Sequence, residues 1–184
     1  MFQLKIKVIT TFFACFCALA VWGQQNLSEN DIRLSPGELL EEELIGNQNS
    51  VLINQVGDAN EIEVDQIQKL DASNLSRILQ SGDFNFVQIV QSGGQNQLAV
   101  IQNGDDNFYT LDMEGKNNDI GVIQDGNNNS IIQKLINSND VNVEFLQRGD
   151  NNEIEHLIEG ANARDFQILQ NGDGMKVIVT QGQN

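Results

Sequence analysis

The chain has 184 residues, a net charge of −16, a single proline and a composition dominated by Asn, Gln and Gly. That acidity disfavours nucleic acid and anionic lipid as partners. High charge with few aromatics otherwise favours disorder, but the regular spacing of Ile, Val and Leu argues for a folded domain.

Residues 1–23 read as a secretory signal peptide. Lys5 and Lys7 form a basic start, Val8 to Val21 is an apolar run, and small residues follow, so cleavage after Gly23 or after Ala20 fits. Losing this leader removes two lysines and no acid, which takes the net charge from −16 to −18. The apolar run is short for a membrane span, and no later stretch approaches one. Cys15 and Cys17 both lie in the leader, so the exported chain is expected to carry no disulfide and no Cys metal site. Phe13-Ala14-Cys15 only faintly matches a lipoprotein cleavage site.

Residues 24–43 form an acidic segment outside the pattern that follows. Ser35-Pro36-Gly37-Glu38 fits a capping box with Pro at the first helical position. Leu39, Leu40 and Leu44 then line one side of a short helix ended by Gly46. This segment is either a lid or recognition element, or a flexible lead into the domain.

Residues 44–184 repeat. The unit Gln-x-Gly-x-x-Asn-x-apolar-x-apolar-x is clearest at Gln80–Gln91 and restarts at Gln91 and Gln102. A fixed short period means that each unit buries its apolar face by stacking on its neighbours. Alternating pairs such as Val51 and Ile53, Val87 and Ile89, or Val177 and Val179 are strands with one face buried. Glycine two residues past the boundary, at Gly46, Gly57, Gly82, Gly93, Gly104, Gly115, Gly126, Gly149, Gly160 and Gly172, permits positive φ where the chain turns.

Twelve such half-repeats suit either an antiparallel meander or a solenoid. Alternate boundaries decide between them. One set is uniform (Gln55, Gln80, Gln102, Gln124, Gln147, Gln170), whereas the other is mixed (Gln66, Gln91, Met113, Leu135, Ile158, Gln181). The true period is therefore 22 residues. The predicted fold is all-β, a two-sheet parallel β-solenoid of about six rungs with amyloid-like cross-β stacking, roughly 29 Å long at the usual strand spacing. Stacked amides bond up and down a column. The glutamines of the uniform set form one predicted ladder, and Asn60, Asn85, Asn107, Asn129 and Asn152 form another.

The motif resembles the curlin repeat of bacterial curli, with its clearest copies at 55–66, 80–91, 91–102 and 147–158. Glycine in nearly every turn is similar to the minor, nucleating curlin at least as much as the major one. The resemblance implies a structural subunit of a secreted extracellular amyloid fibre, with self and a second curlin-like subunit as partners. It also implies export through a dedicated outer-membrane channel, and roles in adhesion and biofilm. The chain departs from the pattern in its acidity, in the mostly absent leading Ser, and at Val141, Arg164 and Met175, which replace the turn Asn.

No catalytic constellation is visible, and neither a cofactor nor a metal is expected. His156 sits at an inward strand position, expected to be hydrogen-bonded or at an edge. Asp58, Asp83, Asp105, Asp150 and Asp173 recur after the turn glycines, either as solvated residues or as a loose Ca²⁺-collecting edge. Leu79, Ile101, Ile123, Leu146 and Leu169 form an outward apolar column, either a lateral contact or a stripe turned inward. Both solenoid ends are expected to be open and to template head-to-tail addition. The alternative function is a monomeric surface β-solenoid that binds a ligand or host molecule.

Overall fold

The computed structural model describes residues 3–9, 17–20, 49–68, 72–160 and 162–182. The acidic segment with its predicted helix, and residues 69–71, which lengthen the step from Gln66 to Gln80 to fourteen residues, lie outside the described residues. Thirteen strands follow in order: β1 (Gln3–Ile9), β2 (Cys17–Ala20), β3 (Ser50–Val56), β4 (Glu61–Gln68), β5 (Leu75–Ser81), β6 (Phe86–Gly94), β7 (Gln97–Asn103), β8 (Phe108–Lys116), β9 (Asp119–Asp125), β10 (Ser130–Arg148), β11 (Glu153–Glu159), β12 (Asn162–Asn171) and β13 (Lys176–Gln181).

The chain coils as a two-sheet parallel β-solenoid. One sheet stacks β3, β5, β7, β9, the second half of β10, and β12, through five parallel pairings. The facing sheet stacks β4, β6, β8, the first half of β10, β11 and β13, again through five. Gln102 lies opposite Gln80 on one side and Gln124 on the other, as the 22-residue period requires.

The period-two pattern explains the interior. Val51, Ile53, Leu98, Val100, Ile120, Val122, Val143 and Phe145 point in from one sheet, and Ile62, Val64, Val87, Ile89, Tyr109, Leu111, Ile131 and Ile154 from the other. Fully burying such a side chain is worth about 1.5–3 kcal/mol. No single coil could form this core, because its apolar faces close only against the coils above and below. The last coil packs more loosely: Phe166, Ile168 and Val177 are only partly buried.

The corners are built from backbone. The predicted turn glycines 57, 82, 93, 104, 115, 126, 149, 160 and 172 all take positive φ. The residue two places later is also left-handed, at Ala59, Phe84, Gln95, Asp106, Asn117, Asn128 and Asn151. That second position holds a glycine only at Gly174, and its Ala, Phe and Gln occupants each cost about 1–2 kcal/mol, while Asn and Asp adopt this conformation more readily. Corner N–H groups bond to the neighbouring coil; Gly104 donates to Ser81 O at 2.9 Å and Asp106 to Asp83 O at 2.9 Å. The corner within β10 has no glycine: the chain rounds it with Asn137 and Asp140 left-handed and Ser138 under Gly115.

The close approach leaves no room for a side chain. A Cβ added at Gly104 would lie 2.3 Å from Gly126 O, at a φ of +104°, whereas one at Gly182 meets nothing within 4 Å. Gly104→Ala should therefore destabilise the fold by roughly 2–3 kcal/mol or more, while Gly182→Ala stays within about 0.5 kcal/mol. Urea unfolding of both variants checks this, and equal midpoints would contradict the corner packing.

Candidate functional site

The side chains that set this molecule apart are its buried amides. Along the first sheet, Gln55 Nε2 donates to Gln80 Oε1 (2.6 Å), and Gln80 to Gln102 (2.7 Å). Gln102 then donates to Gln124 (2.8 Å), Gln124 to Gln147 (3.0 Å), and Gln147 to Gln170 (2.8 Å). The second N–H of Gln102, Gln124 and Gln147 reaches across the corner to the carbonyls of Phe86, Phe108 and Ser130 at 3.1–3.2 Å. The predicted ladder is continuous, and all its amide–amide bonds run in one direction.

The asparagine column forms as well. The N–H of Asn85, Asn107, Asn129 and Asn152 donates to the Oδ1 of the asparagine one coil earlier, starting from Asn60, at 2.9–3.2 Å. Met175 ends it by giving its own N–H to Asn152 Oδ1 at 3.0 Å. A second column, Asn49–Asn74–Asn96–Asn118, occupies the opposite corner and ends at Val141. The sequence reading missed it by following only alternate turns, although Asn74, Asn96 and Asn118 hold the motif position.

The mixed glutamine column bonds only once before Met113 interrupts it, from Gln66 Nε2 to Gln91 Oε1 at 2.7 Å. Ser76 bridges the pair from the facing sheet, accepting from Gln66 and donating to Gln91 at 2.9 Å each. Farther along, buried Tyr109 donates its hydroxyl to Gln133 Oε1 at 2.9 Å, and burial pushes the phenol well above its usual pKa.

The ends of these columns differ. At the first coil, Gln55 Oε1 and Gln66 Oε1 are buried without a hydrogen-bond partner. At the last, Gln170 donates to Glu153 O (3.1 Å) and Met175 O (3.0 Å), so a backbone carbonyl takes the donor that earlier glutamines give to the next glutamine. Among the described residues, β12 and β13 have no strand beyond them. The opposite edge is occupied, contrary to the expectation of two open ends. Residues 3–9 and 17–20, read as part of the leader, pair antiparallel with β4 and β3.

The remaining candidates fall out differently. The outward column is not a uniform exposed stripe, and its first two members are a correction to that reading. Leu79 and Ile101 are buried at 4% and 1%, Ile123 and Leu146 are half-buried, and only Leu169 is open at 61%. Neither Leu79 nor Ile101 belongs to the interior cluster, so they have not turned inward. The corner acids act as acceptors: Asp83, Asp105, Asp150 and Asp173 each take, through Oδ1, the N–H of the corner residue one coil earlier at 2.7–2.8 Å. Among the described residues, no group of three His, Cys, Asp or Glu side chains is placed to hold a metal ion. No helix there is long and apolar enough to cross a membrane.

His156 is fully buried, wedged edge-on between Phe145 and Phe166 at ring-centroid distances of 5.2 and 5.1 Å. Neither ring nitrogen has a hydrogen-bond partner, which differs from the hydrogen-bonded or edge histidine expected. On the outer face Phe86 and Phe108 stack at 5.2 Å, a contact that the 22-residue offset between them places in register.

No family model matches the chain, and neither a curated protein nor a solved structure matches it.

Gln102→Leu should cost roughly 2–4 kcal/mol, because it strands the buried amides of Gln80 and Gln124 at about 1–3 kcal/mol each. A loss below about 1 kcal/mol in urea unfolding would contradict the ladder's role. Burial holds the His156 pKa down, from 6.5 to about 4. Below pH 6.5 the unfolded chain binds a proton that the folded chain refuses until about pH 4. His156 thus makes stability fall as pH drops through that window, by up to roughly 3 kcal/mol. His156→Leu should flatten that part of the pH profile relative to the parent chain; parallel profiles would contradict it.

Proposed function

We propose that this chain is a structural subunit of a secreted, curli-like amyloid fibre that polymerises head-to-tail and supports adhesion and a biofilm matrix. The observation that carries the reading is the one-way glutamine ladder, with buried acceptors at its first coil and a reassignable donor at its last. If the last coil of one copy stacks on the first coil of the next, Gln170 Nε2 reaches Gln55 Oε1, and Gln181 stands over Gln66. Lys176 then covers Glu61, repeating its 2.7 Å pairing with Glu153. Head-to-head stacking would set acceptor against acceptor, which favours a polar filament. The residues do structural work and no catalysis in this reading. A second curlin-like subunit and an outer-membrane secretion channel are the further partners proposed.

The second reading is a monomeric surface solenoid that binds a ligand. The occupied first edge favours it, since blunted edges prevent association.

Incubating the purified chain with thioflavin and sonicated seeds separates the two. The fibre reading expects seeds to abolish the lag and consume monomer, with fibres in electron micrographs. A soluble monomer that persists at high concentration with seeds overturns it.

A further inference from the structure

We infer that residues 3–9 and 17–20 form a detachable cap on the surface where a second copy of this chain adds, so that joining waits on the cap's release. This rests on the fibre reading above. β1 runs antiparallel along β4 from Gln3 opposite Ile67 to Ile9 opposite Glu61, and β2 runs antiparallel along β3 from Cys17 opposite Gln55 to Ala20 opposite Leu52. Every other pairing is parallel, so these two strands lie on the coil without continuing it.

The cap is held by side chains as well as backbone. Lys5 Nζ lies 2.8 Å from Asp65, Lys7 Nζ lies 2.6 Å from Glu61, and Gln3 Nε2 donates to both Asp65 oxygens at 2.8 and 3.0 Å. Val8 is 8% exposed, with Leu4 and Ile6 packed partly against the same core. The fit is nevertheless incomplete. Leu4 stands opposite Gln66 and Cys17 opposite Gln55, and neither glutamine oxygen finds a donor. A second copy brings Gln181 and Gln170 to those places. The cap therefore satisfies the strand edges but not the amide columns, whereas an incoming copy satisfies both. It holds its place because it is tethered and needs no encounter. Loss of the first residues would remove that advantage and open the surface to a partner.

The Lys5–Asp65 pair allows a test that leaves the joint intact, because an added copy sets neutral Thr180 over Asp65. Three full-length chains are compared: the parent, Lys5→Asp, and Lys5→Asp with Asp65→Lys. Hydrogen exchange of the β4 amides is read below the assembly concentration, and assembly lag above it. The cap predicts faster β4 exchange and a lag shortened by roughly twofold to fivefold in Lys5→Asp, with both restored by the charge swap. Equal lags in all three, with exchange accelerated in Lys5→Asp alone, would overturn the cap while leaving the fibre reading standing. Unchanged exchange in Lys5→Asp overturns the cap directly. If no chain assembles even when β4 exchanges freely, the fibre reading falls, and this inference with it.

Discussion

The glutamine-to-glutamine hydrogen bond between successive coils is the constraint on which the molecule depends. A primary amide has two donors and one doubly accepting oxygen, and burying it without partners costs about 1–3 kcal/mol. Gln102 meets that demand with Gln80 below, Gln124 above and the Phe86 carbonyl across the corner. The same bond that stabilises one coil therefore fixes the register of the next. Apolar packing supplies most of the cohesion, but Val and Ile would tolerate slippage that the amides forbid.

Much of this was legible because the repeat exposes its own period. The contrast between uniform Gln55, Gln80 and Gln102 and mixed Gln66, Gln91 and Met113 separated the two sheets before any coordinate was known. What escaped had particular causes. The left-handed second corner position is held by Ala59, Phe84 and Gln95 as well as by Asn and Asp, so no one residue type marks it. The burial of Leu79 and Ile101 depends on what covers the outer face of a sheet, which strand alternation does not encode. His156 was expected to be hydrogen-bonded or at an edge, yet its surroundings are set by Phe145 and Phe166 from the facing sheet, one half-repeat away on either side. The pairing of β1 was within reach. Leu4, Lys5, Ile6, Lys7 and Val8 alternate like a strand, but a basic start before an apolar run gave the leader reading precedence.

Charge is distributed so that a strongly acidic chain can stack at all. On the outer faces an acid commonly lies beside an amide or a lysine of the next coil, as with Glu63 and Gln88, Asp112 and Lys134, Glu144 and Gln167, or Glu153 and Lys176. Such exposed pairs contribute little each, about 0–1 kcal/mol, yet they avoid carboxylates directly opposed in register. The corner aspartates are the exception, and each of the later ones is anchored by a backbone N–H of the coil before it.

The glycine corners, packed carbonyl against backbone, also govern how such a chain can vary over generations. A residue inserted at a glycine corner would wedge its neighbours apart, and the corner within β10, one residue longer than most, is rounded with Asn137 and Asp140 in left-handed conformation. Whole coils are free of that restriction, because a duplicated or deleted coil presents the same corner and the same glutamine to its neighbours. Rod length is thereby quantised, changing by recombination in steps of about 4.8 Å, while the chemistry of the joints stays untouched.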